Sequence, residues 1–136
     1  MNDKDKELLL KDLCARLPYG LWIERKLKTC KFGAKCMLNG HDIYAIERGQ
    51  YDFYKPYLFP LSSMTEEQEE EFNDLFYRYH ESAFIFNERF SYDRCSVKDI
   101  GFYPCYLQDW LNENHFDYRG LIPMGLAIDA TGLNIY

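Results

Sequence analysis

Apolar residues in this chain change spacing three times, and each spacing predicts a different kind of element. Leu9, Leu10, Leu13 and Leu17 fall at i, i+1, i+4 and i+8, which draws one apolar stripe along a helix over residues 4–17. Asn2 or Asp3 can cap that helix, Asp5 and Glu7 suit its positive pole, and Pro18 with Gly20 ends it. Cys14 sits beside the stripe and reads as core filler.

Shorter runs follow and predict strands. Leu21-Trp22-Ile23-Glu24-Arg25 alternates, with Leu21 and Ile23 on one face. Asn39-Gly40 then separates two strand-like runs, and this dipeptide readily adopts the positive φ angles of a two-residue type I′ turn. The hairpin it predicts pairs Leu38 with His41, Cys36 with Ile43 and Ala34 with Ala45. Cys36, Leu38, Ile43 and Ala45 would share one face, with Lys35, Met37, Asp42 and Tyr44 on the other. A second turn at Glu47-Arg48-Gly49-Gln50 leads into Tyr51-Asp52-Phe53-Tyr54, and two prolines keep Lys55 to Pro60 extended. Short antiparallel strands of this kind make a meander or an SH3-like barrel.

Helical spacing returns at Thr65, which forms a capping box with Gln68. Glu66, Glu67, Glu69, Glu70 and Glu71 suit a helix start, and Phe72, Leu75, Phe76 and Tyr79 supply the buried stripe of a helix over 65–80. Its continuation through 81–90 is left open by the pattern, and 91–104, with Gly101 and Pro104, read as a loop or irregular strand. A further helix over 104–114 buries Leu107, Trp110 and Leu111. Asp117 can cap a short one over 118–124, which a left-handed Gly125 would end. The tail from Leu126 to Tyr136 suggests a strand or hairpin around Ala130-Thr131-Gly132.

Charge divides the chain where the spacing does. Residues 1–60 hold 11 basic and 8 acidic side chains, and residues 61–136 hold 5 and 14, so a weakly basic half of strands precedes an acidic half of helices. At 136 residues, one domain with a substantial core is expected. The charged beginning, Met1-Asn2-Asp3-Lys4-Asp5-Lys6, lacks the apolar segment of a secretory signal, and no apolar run approaches the length of a membrane span. Five scattered cysteines, Cys14, Cys30, Cys36, Cys95 and Cys105, read as free thiols of a reducing compartment. A cytoplasmic protein is therefore expected. Aromatic residues make up 18% of the chain, with 12 Tyr and 10 Phe, enough to furnish both a core and a binding face.

Three blocks carry a resemblance. The first is Glu7-Leu8-Leu9-Leu10-Lys11-Asp12-Leu13-Cys14-Ala15-Arg16-Leu17-Pro18-Tyr19-Gly20, and the second runs from Lys55 to Gln68. The third is Asp109-Trp110-Leu111-Asn112-Glu113-Asn114-His115-Phe116-Asp117-Tyr118-Arg119-Gly120-Leu121-Ile122 with Gly125-Leu126-Ala127. Together they resemble a family of small uncharacterised proteins of gut Bacteroidales bacteria, their phages and mobile elements. The resemblance implies a cytoplasmic accessory protein, of phage or mobile-element origin in some cases. It implies no catalytic or binding residue.

Candidate chemistry is sparse. Cys30, Cys36 and His41 lie close together, but Cys-x5-Cys departs from the tight knuckle of structural zinc sites, and Cys95-x9-Cys105 is no better. Neither a nucleophile elbow nor a phosphate-binding glycine loop occurs. His115, next to Phe116 and Asp117, has a local carboxylate, yet it equally suits the negative pole of the preceding helix. The basic stretch Arg25, Lys26, Lys28, Lys31 and Lys35, with Trp22, Phe32 and Tyr44 nearby, could hold phosphates while a ring stacks on a base. It could instead meet the acidic helix start, within the molecule or in a dimer. The acidic run itself reads as a solvated helix start or as a nucleic-acid decoy.

The expectation is thus an α+β protein: a leading helix, a small antiparallel sheet, and a mostly helical second half packed on it. The expected core is Leu9, Leu13, Ile23, Cys36, Ile43, Phe53, Leu58, Phe72, Leu75, Phe76, Leu107, Trp110, Leu111 and Leu121. The expected function is a non-catalytic interaction protein that binds a protein partner, with no metal or other cofactor. The alternative is nucleic-acid binding, and in either case the contact residues are Trp22, Arg25, Lys26, Lys28, Lys31, Lys35 and Tyr44.

Overall fold

The computed structural model describes residues 2–86 and 105–136, the side chains of 77–86 excepted. The predicted loop over 91–104, the pair Cys95 and Cys105, and the Tyr79 side chain fall wholly or partly outside the described residues. The chain folds as α+β. Helix α1 spans Asp3–Arg16 and is capped by Asn2, whose side-chain oxygen accepts from the Asp5 N–H at 2.8 Å. Leu9 and Leu13 of its stripe are buried, but Cys14 is exposed, because it falls on the solvent side of the helix. A 3₁₀ turn over Leu17–Tyr19 and the left-handed Gly20 (φ 75°) then release the chain into β1, Trp22–Leu27.

β1 pairs antiparallel with β2, Ala34–Met37, in the register Trp22↔Met37 and Arg25↔Ala34. The Asn39-Gly40 hairpin does not form. Asn39 is extended (φ −137°) and caps helix α2, Gly40–Glu47: its side-chain oxygen accepts from the Asp42 N–H while the Asp42 carboxylate accepts from the Asn39 N–H. This reciprocal cap satisfies two groups at once, and Ala45 and Ile46 bury on the sheet at helical spacing. The predicted turn at 47–50 is present as the end of α2, with Gly49 left-handed at φ 69°.

Helix α2 also decides the sheet order. It carries the chain back across β1, so β3, Tyr51–Pro60, adds to the far side of β1 rather than beside β2. The sheet is β2-β1-β3-β4, with β5 (Ile128–Asp129) also on β3, so neither a simple meander nor a closed barrel results. β3 pairs antiparallel with β1, but parallel with β4 (Phe116–Asp117) and β5. Its ten residues span both predicted pieces, 51–54 and 55–60, because Pro56 stands opposite Ile23 without breaking the strand.

Helix α3, Glu66–Phe86, begins at the predicted box: Thr65 Oγ1 accepts from the Gln68 N–H at 3.1 Å, and Gln68 Oε1 from the Thr65 N–H at 3.0 Å. Helix α4 covers Cys105–Glu113. The short helix predicted after Asp117 is a series of turns instead. Asp117 accepts from the N–H groups of Leu121 and Ile122, four and five residues on, a reach too long for a helix cap. Gly125 is left-handed as expected (φ 76°).

Among the described residues two apolar clusters result. α1, α2, β1 and β3 enclose Leu9, Leu13, Leu21, Ile23, Ile46 and Leu58, while α3, α4 and the end of β3 enclose Phe72, Phe76, Leu107, Leu111 and Phe116. Four expected core residues, Cys36, Ile43, Phe53 and Leu75, are only partly buried. Among the described residues no helix is long and apolar enough to cross a membrane.

Buried charge was invisible to the apolar pattern. Asp12 and Arg16 of α1 are fully buried and paired at 2.8 Å. The second Asp12 oxygen accepts from Arg119 at 3.0 Å, and Arg16 also donates to the Phe116 carbonyl at 2.6 Å. The pair thereby ties α1 to β4 and to the turns that follow it.

Candidate interaction surface

Pairing register sorts the seven sequence candidates onto different surfaces. Residues opposite one another across antiparallel strands share a face. Trp22, Glu24 and Lys26 on β1 therefore stand beside Met37 and Lys35 on β2 and beside Lys55 and Phe53 on β3. This outer face is aromatic and cationic. The Lys35 ammonium sits 5.4 Å from the Trp22 ring centroid, in the range of a cation–π contact. Lys26 bonds to Asp52, and Glu24 accepts from the Tyr57 hydroxyl at 3.0 Å.

Arg25 has the opposite parity and faces inward. Its Nε donates to the Cys36 sulfur at 2.9 Å and pairs ionically with Asp42 Oδ1 at 3.0 Å, and its guanidinium lies 5.1 Å from the Tyr51 ring centroid. Asp42 Oδ1 also accepts from the Tyr51 hydroxyl at 2.7 Å. Burial, and then this bond to a carboxylate, push the Tyr51 phenol up to about 12. Arg25 thus clamps the cap of α2 to the sheet and is withdrawn from the surface where it was expected.

Tyr44 is separated from the others as well. It lies on α2, which covers the inner face, and is 47% exposed. Its neighbours are His41, stacked at 6.3 Å, and Arg48, 4.7 Å from the ring centroid. Cys30 is exposed and Cys36 is held by Arg25, so the residues weighed as a zinc trio lie on a loop, a strand and a helix. Among the described residues no group of three or more His, Cys, Asp or Glu is arranged to hold a metal ion.

Lys28 and Lys31 remain on the loop that joins β1 to β2, and both are exposed. Between them and β2 stands Phe32, at 81% the most exposed large apolar side chain among the described residues. The loop is anchored on both sides of it. The Lys28 N–H donates to the Gln50 carbonyl at 3.1 Å, and the Cys30 N–H to the Leu27 carbonyl at 3.0 Å. Gly33 lies against Phe53, where a Cβ would come within 3.1 Å of the ring. An anchored loop thus presents a phenyl ring to solvent between lysines. The sequence signal for this was Phe32 itself, an apolar residue in a polar turn.

The other histidine candidate is used structurally. His115 ends α4 in the left-handed region (φ 64°), its N–H donating to the Asn112 carbonyl at 3.2 Å. It does not complement the helix dipole as a cation. Burial, reinforced by the Arg16 charge, lowers its pKa to about 4, and Asp117 turns its oxygens to backbone N–H groups instead.

No family model, curated protein or solved structure matches the chain.

Proposed function

We propose that this chain is a non-catalytic interaction module that binds a protein partner through the β1–β2 hairpin, as an accessory or regulatory protein of the bacterial or phage-infected cytoplasm. The observation that carries this reading is Phe32, 81% exposed on an anchored loop beside Lys28 and Lys31. A large apolar surface left in water at a fixed position gains most from burial against a partner, and aromatic residues are enriched at interface centres. Met37, 41% exposed, adds apolar surface at the other end of the same hairpin.

Nucleic-acid binding by Arg25–Lys35 is the alternative. Of its five cations, Arg25 pairs with Asp42 and Lys26 with Asp52, which leaves Lys28, Lys31 and Lys35 without an ion pair among the described residues, Lys35 lying over the Trp22 ring. Three cations give a weak phosphate footprint, so the protein reading is preferred.

The test is capture from host lysate with and without nuclease, comparing wild type with Phe32→Asp. A stoichiometric protein that survives nuclease and is lost with Phe32→Asp is expected. Capture that Phe32→Asp leaves intact would overturn the reading. Material that vanishes with nuclease would transfer the site to the nucleic-acid alternative.

A further inference from the structure

The groove between α3 and α4 complements the hairpin. It has a volume of about 360 Å³ and is lined by Glu67, Glu70, Glu71, Asp74, Leu75 and Trp110. The carboxylates fall at i, i+3, i+4 and i+7 of α3, so they share one face of that helix. Its floor is apolar. Trp110 stacks on Phe116 at 5.8 Å with ring planes 13° apart, packs on Phe72 at 5.4 Å, and donates its Nε1–H to Glu71 at 3.0 Å. Among the described residues, Glu67, Glu70 and Asp74 form no ion pair. A fitting occupant carries an aromatic or aliphatic group for the floor and cations for the rim.

The hairpin has both, but on the opposite side of the sheet. β2 is one edge strand, whereas β4, which continues from α4, lies at the other end of the order. Among the described residues no ion pair joins the hairpin lysines to the groove. Two complementary patches that do not pair within one molecule can meet between two copies, as a head-to-tail contact.

We propose that the hairpin of one copy docks in the α3–α4 groove of a second, with Phe32 over Leu75 and Trp110 and with Lys28 and Lys31 against Glu67, Glu70 and Asp74. This rests on the reading of the hairpin as the contact surface and names a second copy as its partner. The imbalance between a weakly basic first half and a strongly acidic second half favours hairpin-to-groove contact over hairpin-to-hairpin or groove-to-groove contact, which would set like charges together. Because a docked pair leaves one hairpin and one groove unused, the contact propagates as a chain or closes as a ring.

Sedimentation velocity tests it. Wild type should associate with rising concentration at low salt and dissociate at high salt, because the rim contacts are ionic. Lys28→Glu with Lys31→Glu should sediment as a monomer, as should Glu67→Lys with Glu70→Lys, each folded by circular dichroism. Mixed in equal amounts, the two variants should associate again, since one supplies the intact groove and the other the intact hairpin, and the two altered patches are also opposite in charge. A mixture that stays monomeric would overturn the proposal, and so would wild type that is monomeric at every concentration and salt. Should wild type stay monomeric while Phe32→Asp still abolishes capture of a protein partner, self-docking falls and the interaction reading stands. Should Phe32→Asp alter neither, both fall together.

Discussion

Tyr136 lies flat on His115, with ring centroids 3.7 Å apart and planes 12° apart. Its hydroxyl accepts from the Trp22 N–H at 3.0 Å and donates to the Tyr57 carbonyl at 2.8 Å, so one residue clips the tail to β1, to β3 and to the end of α4. Tyr136→Phe keeps the stack and loses both hydrogen bonds. It should lower stability by about 1–2 kcal/mol, read as a shift in the urea midpoint without a change in slope.

The same phenol sets an alkaline limit. Burial raises the Tyr136 pKa to about 12, and burial with the Asp42 bond does the same for Tyr51. Both acids hold their protons more tightly folded than unfolded, where they ionise near about 10. Their stabilisation is complete below that unfolded value and is lost as pH rises toward about 12. Phenolate absorbance should therefore lag that of the urea-unfolded chain, and Tyr136→Phe should narrow the lag.

On the acid side His115 contributes. Its folded pKa of about 4 lies below its unfolded value, so stability is full above that unfolded value and falls as pH drops from there to about 4. One proton gives a slope of at most about 1.4 kcal/mol per pH unit. His115→Asn, which tolerates the left-handed backbone, should flatten the fall in urea midpoint across that window.

The Asp12–Arg16–Arg119 cluster predicts an asymmetric response. Asp12→Ala leaves the fully buried Arg16 without its carboxylate and should cost about 3–5 kcal/mol. Arg119 is 13% exposed, and its removal leaves Asp12 still paired with Arg16. Arg119→Ala should cost less, about 1–2 kcal/mol. A double-mutant cycle between Asp12 and Arg119 should show coupling, whereas additive effects would contradict the shared network.

Asn39 and Gly40 offer a local test of helix against hairpin. As the cap of α2, Asn39→Ala should cost about 1 kcal/mol. Gly40 is the first residue of the helix, and a Cβ there meets nothing within 4 Å, so Gly40→Ala should be neutral or stabilise by up to about 1 kcal/mol. A type I′ turn, which needs positive φ at this position, would be weakened by the same change.

Local rules in the sequence determined α1, α3 and α4. Their stripes of Leu and Phe recur at helical spacing, and the Asn2 and Thr65 caps act within three residues of themselves. The extended character of Tyr51 to Pro60 was legible in the same way, and so was the left-handed Gly125. Tertiary structure decided what local rules leave degenerate. Asn39-Gly40 suits a hairpin turn and a helix start alike, and the helix prevails because Asp42 completes the cap and then bonds to Arg25 and Tyr51, neither of which is local. That choice sends β3 to the far side of β1 and takes Tyr44 away from the basic face, whereas strand parity turns Arg25 inward. β4 and β5 are two residues each, too short to show a period, and exist because β3 offers unpaired backbone groups beside them. Nor does any spacing rule place Asp12 and Arg16 in the interior, since a buried ion pair is settled by partners that the chain supplies about a hundred residues later.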